Sequence, residues 1–110
     1  MADSLPLLKG TLDLLVLKAL SCRPTHGYGV ACWLEERSGG SLGIDDSALY
    51  QALRRLEHRG FLDAEWGTSE NNRRARFYRL TRRGEGELAL QSETWSRYAS
   101  SVADILSVRG

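Results

Sequence analysis

Between Asp45 and Thr81 the spacing of apolar side chains changes period once, and that change leaves few architectures open. Leu49, Leu53 and Leu56 fall at i, i+4 and i+7, one stripe of a helix. Asp45 or Asp46 stands where a carboxylate caps a helix start, and Gly60 where a left-handed residue ends one. Opposite the stripe lie Ser47, Tyr50, Gln51, Arg54 and His58, with Arg55 beside them. After Gly60 the period falls to two. Leu62, Ala64 and Trp66 share a face over Phe61 to Trp66, and Tyr78 and Leu80 share one over Ala75 to Leu80. The connection from Gly67 to Arg74 contains Asn71-Asn72 and Arg73-Arg74. Two strands joined by a basic loop, directly after a helix with one polar face, predict a wing.

The flanking segments fit around that unit. Leu8 to Leu20 is almost continuously apolar, which predicts a helix buried on more than one side, against the core and against a second subunit. Pro24 closes it, and Thr25 is placed to cap a second helix from His26 to about Arg37, with Val30, Ala31 and Leu34 inward. Ser38 to Ser41 is a break, and Leu42 to Ile44 suits a short strand. Thr81 can cap a last helix that runs without proline nearly to the end, although Gly84 and Gly86 weaken its first turns. In it Leu88, Trp95 and Val102 recur every seven residues, interleaved with Gln91, Tyr98 and Ile105. At 1.5 Å per residue such a helix is roughly 35–40 Å long, more than a small core covers. The expected fold class is therefore α+β, mostly α: a winged helix-turn-helix domain over residues 1–81, then a long C-terminal dimerisation helix over 82–110.

Charge is uneven. Tyr50 to Gly84 holds nine arginines against four acids, a balance of +5, in a chain whose net charge is +1. Such concentration is the footprint of a polyanion-binding face. Other classes find no support. The apolar run Leu14 to Leu17 is too short to span a bilayer, and the first ten residues lack the basic flank of a signal peptide, so a cytoplasmic protein without membrane contact is expected. Cys22 and Cys32 have neither CxxC spacing nor a second pair, and His26 and His58 are isolated; no metal and no cofactor are expected. Cys32 reads as a small buried hydrophobe, Cys22 as a helix-end residue, and Trp33 and Trp66 as packing residues. No paired carboxylates, activated nucleophile or phosphate loop indicates an enzyme.

Four motifs in order carry a family likeness: Gly10-Thr11-Leu12, His26-Gly27-Tyr28-Gly29, the segment Leu49 to Glu57, and the segment Phe77 to Gly84. The patterns LYxxLxRLExxG and RxYxLTxxG at this separation resemble the PadR family of bacterial transcriptional regulators. The single C-terminal helix is similar to its short subfamily, which includes a lactococcal multidrug-binding regulator. The resemblance implies a homodimer, a repressor-like role on promoter DNA, and in some members a flat apolar ligand site between subunits. Trp95 corresponds to the tryptophan of that site, and Leu7 and Leu14, read as first-helix residues, to other lining positions. Ala99 departs from the pattern, standing where the drug-binding relative has an acid, which puts cationic ligands in doubt.

On these grounds the expected DNA contacts are Ser47, Tyr50, Gln51, Arg54 and Arg55 from the helix, with Arg73, Arg74 and Arg76 from the wing. Arg82 and Arg83, at the positive end of the last helix, call for a nearby anion such as phosphate. Leu8, Leu12, Leu88, Trp95, Tyr98, Val102 and Ile105 are the expected dimer contacts. Expected partners are double-stranded DNA, a second copy of the chain, and a planar aromatic ligand at Trp95, Leu7 and Leu14. Use of the same fold for protein–protein contact with an acidic partner stays open.

Overall fold

In the computed structural model, which describes residues 5–110, nine elements follow in chain order. They are β1 (Leu5–Pro6), α1 (Thr11–Cys22), β2 (Thr25–His26), α2 (Gly27–Ser38), β3 (Leu42–Gly43), α3 (Asp46–His58), β4 (Leu62–Thr68), β5 (Arg74–Leu80) and α4 (Arg82–Leu106). The architecture is the expected mostly helical α+β winged helix. β4 and β5 form an antiparallel hairpin in which Leu62 faces Leu80 and Thr68 faces Arg74. Its tip closes through Ser69, whose N–H donates to the Arg73 carbonyl at 2.8 Å, with Asn72 left-handed at φ 60°. Asparagine tolerates that conformation better than other side chains with a Cβ.

One core joins the helices to the sheet. α1 contributes Val16, Leu17, Ala19 and Leu20; α2 contributes Val30 and Leu34; α3 contributes Leu49, Ala52, Leu53 and Leu56. Phe61, Leu62 and Tyr78 close it from the hairpin. Burial pushes the Tyr78 phenol above its ordinary pKa, and the Glu57 carboxylate adds to the effect.

Several local expectations need correction. Helix α1 begins at Thr11, because Gly10 takes φ 86° and the Leu8 carbonyl accepts from Thr11 N–H at 3.0 Å. Leu7 and Leu8 therefore precede the helix. The cap of α2 is His26 rather than Thr25: His26 Nδ1 accepts from Gly29 N–H at 3.0 Å. Thr25 and His26 instead pair with Tyr78 and Phe77, adding a third strand to the wing sheet. Two residues are too short to display an alternation. Cys32 is exposed, not buried, and its hydrogen bond raises the pKa of the Tyr28 phenol. Trp66 lies on the core face of β4 yet is 56% exposed, since that face continues past the end of the core. Trp33 packs against the core as expected.

The wing returns to α4 through a tight junction. Thr81 Oγ1 accepts from Gly84 N–H at 2.9 Å and donates to the Gly60 carbonyl at 2.8 Å. A Cβ on Gly84 would stand 2.1 Å from the Phe61 carbonyl oxygen, whereas one on Gly86 would meet nothing within 4 Å. The two glycines of α4 thus differ in kind. Gly84→Ala is expected to destabilise the fold by about 1–3 kcal/mol, and Gly86→Ala to stabilise it by up to about 1 kcal/mol. Urea denaturation checks both; an unchanged midpoint for Gly84→Ala would contradict the close approach.

Candidate nucleic-acid interface

The recognition surface starts at the cap of α3. Asp45 Oδ2 accepts from Ala48 N–H at 3.0 Å, and the Asp45 carbonyl accepts from Leu49 N–H at 2.9 Å. With Leu49, Ala52, Leu53 and Leu56 fully buried, helical spacing turns Ser47, Tyr50, Gln51, Arg54, Arg55 and His58 outward, and all six are exposed. Tyr50 is further constrained by α2. A Cβ on Gly27 would lie 2.4 Å from Tyr50 Cε1 and 3.0 Å from its hydroxyl, so the phenol end rests on the bare backbone at the start of α2. The His-Gly-Tyr and Leu-Tyr motifs are thereby two sides of one helix contact.

The wing rises beside this surface and leaves a cleft of about 580 Å³ bordered by His26, Tyr28, Tyr50, Trp66 and the wing arginines. Its walls are held by specific contacts. His26 stacks on Phe77 at 5.1 Å, and its Nε2 faces the Glu70 carboxylate at 3.8 Å. Arg76 Nη2 binds Glu57 Oε2 at 2.6 Å, tying β5 to α3. The guanidiniums of Arg74 and Arg76 lie 4.9 and 5.6 Å from the centre of the Trp66 ring.

The eight residues expected to meet DNA fall into two groups. Ser47, Tyr50, Gln51, Arg54, Arg73 and Arg74 are exposed on the α3 and wing surface, and among the described residues Arg54, Arg73 and Arg74 pair with no carboxylate. Arg55 and Arg76 are engaged within the chain. Arg55 grips Asp13 of α1 through Nη2 at 2.5 Å and Nε at 3.3 Å, and that hydrogen bonding raises its pKa. Arg83 at the start of α4 lies over the Phe61 ring at 5.3 Å. Asp13, Glu57 and Trp66 join the site without having been expected there. The lone acid inside an apolar helix is the one available signal for Asp13; nothing periodic marks the other two.

Helix α4 runs about 37 Å by its 25 residues. Its first turns meet the core, where Leu88 is packed; Leu12 of α1 is packed against the same core, so these two expected dimer residues are both partly buried within the chain. Beyond them Leu90, Trp95, Tyr98, Val102, Ile105 and Leu106 are exposed, and Leu8 is exposed alongside. Trp95 divides two apolar grooves of about 610 and 750 Å³. Leu8 and Leu14 line both, and Leu7 lines the larger. Leu7, Leu14 and Trp95 are thus brought together.

A helix-turn-helix with an adjoining hairpin and an arginine-bearing face defines a winged-helix protein. Residues 16–90 match the transcriptional regulator PadR-like family, and the chain belongs to that family, one of regulators rather than enzymes. It is similar to a PadR family transcriptional regulator from Eggerthella lenta, with 30% identity and TM-score 0.78 over 92% of this chain and 86% of the other. It is also similar to smu.1704 from Streptococcus mutans, with 25% identity and TM-score 0.83 over 98% and 99% of the two chains. An uncharacterised Lysinibacillus sphaericus protein is 24% identical over 82% of this chain and 83% of its own length. Among the described residues, no helix is long and apolar enough to cross a membrane.

The Gly27–Tyr50 contact has a direct test. Gly27→Ala should displace the Tyr50 ring, whose exposed phenol end is what the new methyl meets, and shift its resonances at a cost below about 1 kcal/mol. In a Tyr50→Ala background the same change should cost little by urea denaturation. An equal cost in both backgrounds would assign the strain to something other than Tyr50.

Proposed function

We propose that this protein is a dimeric transcriptional repressor that binds pseudo-palindromic promoter DNA through α3 and the β4–β5 wing. The observation that carries this reading is the common surface shared by the polar face of α3 and three arginines without carboxylate partners among the described residues, Arg54, Arg73 and Arg74. In this reading residues 1–81 bind DNA and residues 82–110 dimerise. Ser47, Tyr50, Gln51 and Arg54 face base edges in a major groove, while Arg73 and Arg74 meet phosphates and set affinity more than sequence choice. Arg55 and Arg76 act chiefly as braces, holding α3 to α1 and to the wing.

A second copy is the proposed cover for the apolar face of α4, with Leu8, Trp95, Tyr98, Val102 and Ile105 at the contact and Leu90 and Leu106 beside them. Two-fold pairing would bring two copies of the Trp95 grooves together, and a planar aromatic ligand is the proposed occupant, against Trp95, Leu7 and Leu14.

Gel shift and titration with the chain's own upstream DNA test the first part. Arg54→Ala should weaken binding roughly tenfold or more, at about 1–3 kcal/mol per good base contact. The Arg73→Ala, Arg74→Ala double variant should flatten the log–log salt dependence by about 1.8, since each phosphate contributes about 0.9. Parent-like binding by both variants would refute the proposal. Failure of the parent to retard any duplex at low salt would leave the protein–protein reading instead.

Sedimentation and tryptophan fluorescence test the second part. Ile105→Asp is expected to give a monomer and to abolish quenching by planar aromatic compounds, and Trp95→Ala to abolish the quenching alone. A parent that sediments as a monomer would remove the dimer, and quenching that survives Trp95→Ala would remove the ligand site.

A further inference from the structure

Trp66 has no place in the core and is not explained by its strand. It shares a face with Leu62 and Ala64 but lies beyond them, more than half exposed. The register of the hairpin sets Arg76 directly across from it and Arg74 on the adjacent diagonal of the same face. Both guanidiniums take up positions over the indole, at 4.9 Å for Arg74 and 5.6 Å for Arg76. Tryptophan is the aromatic that best attracts a cation to its face. Arg76 is further tied to Glu57 on α3 at 2.6 Å, so ring, wing and recognition helix form one connected set. Arg74, at the outer end of that set, has no carboxylate partner among the described residues.

We infer that Trp66 is a positioning residue for DNA binding: its indole, braced from its other side by Arg76, holds Arg74 in the orientation in which the wing presents it to the duplex. This rests on the proposed DNA-binding role. A free arginine loses most of its rotamer freedom when it settles on a phosphate, and one already held against a ring has less to lose. Each cation–π contact at an exposed site is worth a factor of about 2–5 in an equilibrium constant, and the contact to Arg74 is the one that bears on binding. The ring neither adds nor removes charge. Its loss should lower affinity without changing the number of phosphates neutralised.

The experiment measures binding of the full-length protein to a labelled mixed-sequence duplex of about 30 base pairs across a salt series, where backbone contacts dominate. Trp66→Leu is expected to bind about 2–5-fold more weakly at every salt concentration with an unchanged slope, and Trp66→Phe to fall between it and the parent. In the Arg74→Ala, Arg76→Ala background, Trp66→Leu should have no further effect. The Arg74 and Arg76 side-chain proton resonances, shifted upfield by the indole ring current, should return downfield in Trp66→Leu. Parent-like binding by Trp66→Leu overturns the inference. So does an undiminished loss in the double-alanine background, which would mean the ring meets DNA itself, and so do arginine resonances that do not move. A parent that fails to bind the duplex fells the DNA reading together with this one; a parent that binds no better than Trp66→Leu fells this one alone.

Discussion

The buried stripe of α3 is the constraint on which the remaining structure depends. Leu49, Ala52, Leu53 and Leu56 are completely removed from solvent, between α1 and α2 on one side and the hairpin on the other. Fully burying a leucine contributes about 1.5–3 kcal/mol, so three of them far outweigh any polar contact on the outer face. Since the inner face fixes the rotation of the helix about its axis, the outer face has no freedom of its own. Tyr50, Gln51 and Arg54 point outward because Leu49, Leu53 and Leu56 point inward. Gly84 serves the same packing by letting the Phe61 carbonyl nearer than a side chain would permit, and Gly27 gives room to the Tyr50 phenol on the outer face.

The arginines divide by what they touch rather than by where they fall in the chain. Arg55 and Arg76 each close an ion pair between separate elements, α1 to α3 and α3 to β5. Both pairs are partly solvated, so their contribution is orientation more than stability. Arg59 and Arg83 both lie over the Phe61 ring, and Arg74 lies over Trp66. Local charge of +5 therefore overstates the number of cations a polyanion would meet unpaired. The surface that remains is narrower: one turn of α3 and the tip of the wing.

Features set by local periodicity are legible in the amino-acid sequence alone. The Asp45 cap, the left-handed Gly60, the register-compatible strands and the Thr81 cap each follow from two or three residues, and the fold contains all of them. Contacts between segments distant in sequence are not legible in this way. Asp13 and Arg55 are 42 residues apart and Glu57 and Arg76 are 19 apart, and no pattern within either segment names its partner. Alternation puts Trp66 on the correct face but in the wrong surroundings, because it reports which way a side chain points and not how far the core extends. The two-residue β2 leaves no trace for the opposite reason: it is held by its partner strand alone. Leu88 heads a heptad that begins at the chain's own core, and Leu12 packs against the same core, so periodicity alone does not separate core from subunit contact.

Helix α1 touches both the recognition helix and the Trp95 grooves. Asp13 binds the recognition helix through Arg55, and the next residue, Leu14, lines both grooves beside Trp95. Neighbouring side chains on a helix point about 100° apart, so one rigid cylinder faces the groove and the recognition helix at once. Occupancy of the groove acts on α3 only insofar as it moves that cylinder, and only by the difference in affinity for its two positions. Tight binding that leaves α1 in place shifts nothing, however large the groove. The Asp13–Arg55 pair is partly exposed and weak enough to be re-formed in a second arrangement, whereas the leucine stripe beneath it is not. In the proposed dimer, motion of the recognition helices relative to each other would therefore come from the movement of whole winged-helix units about α4, with the core of each unit intact.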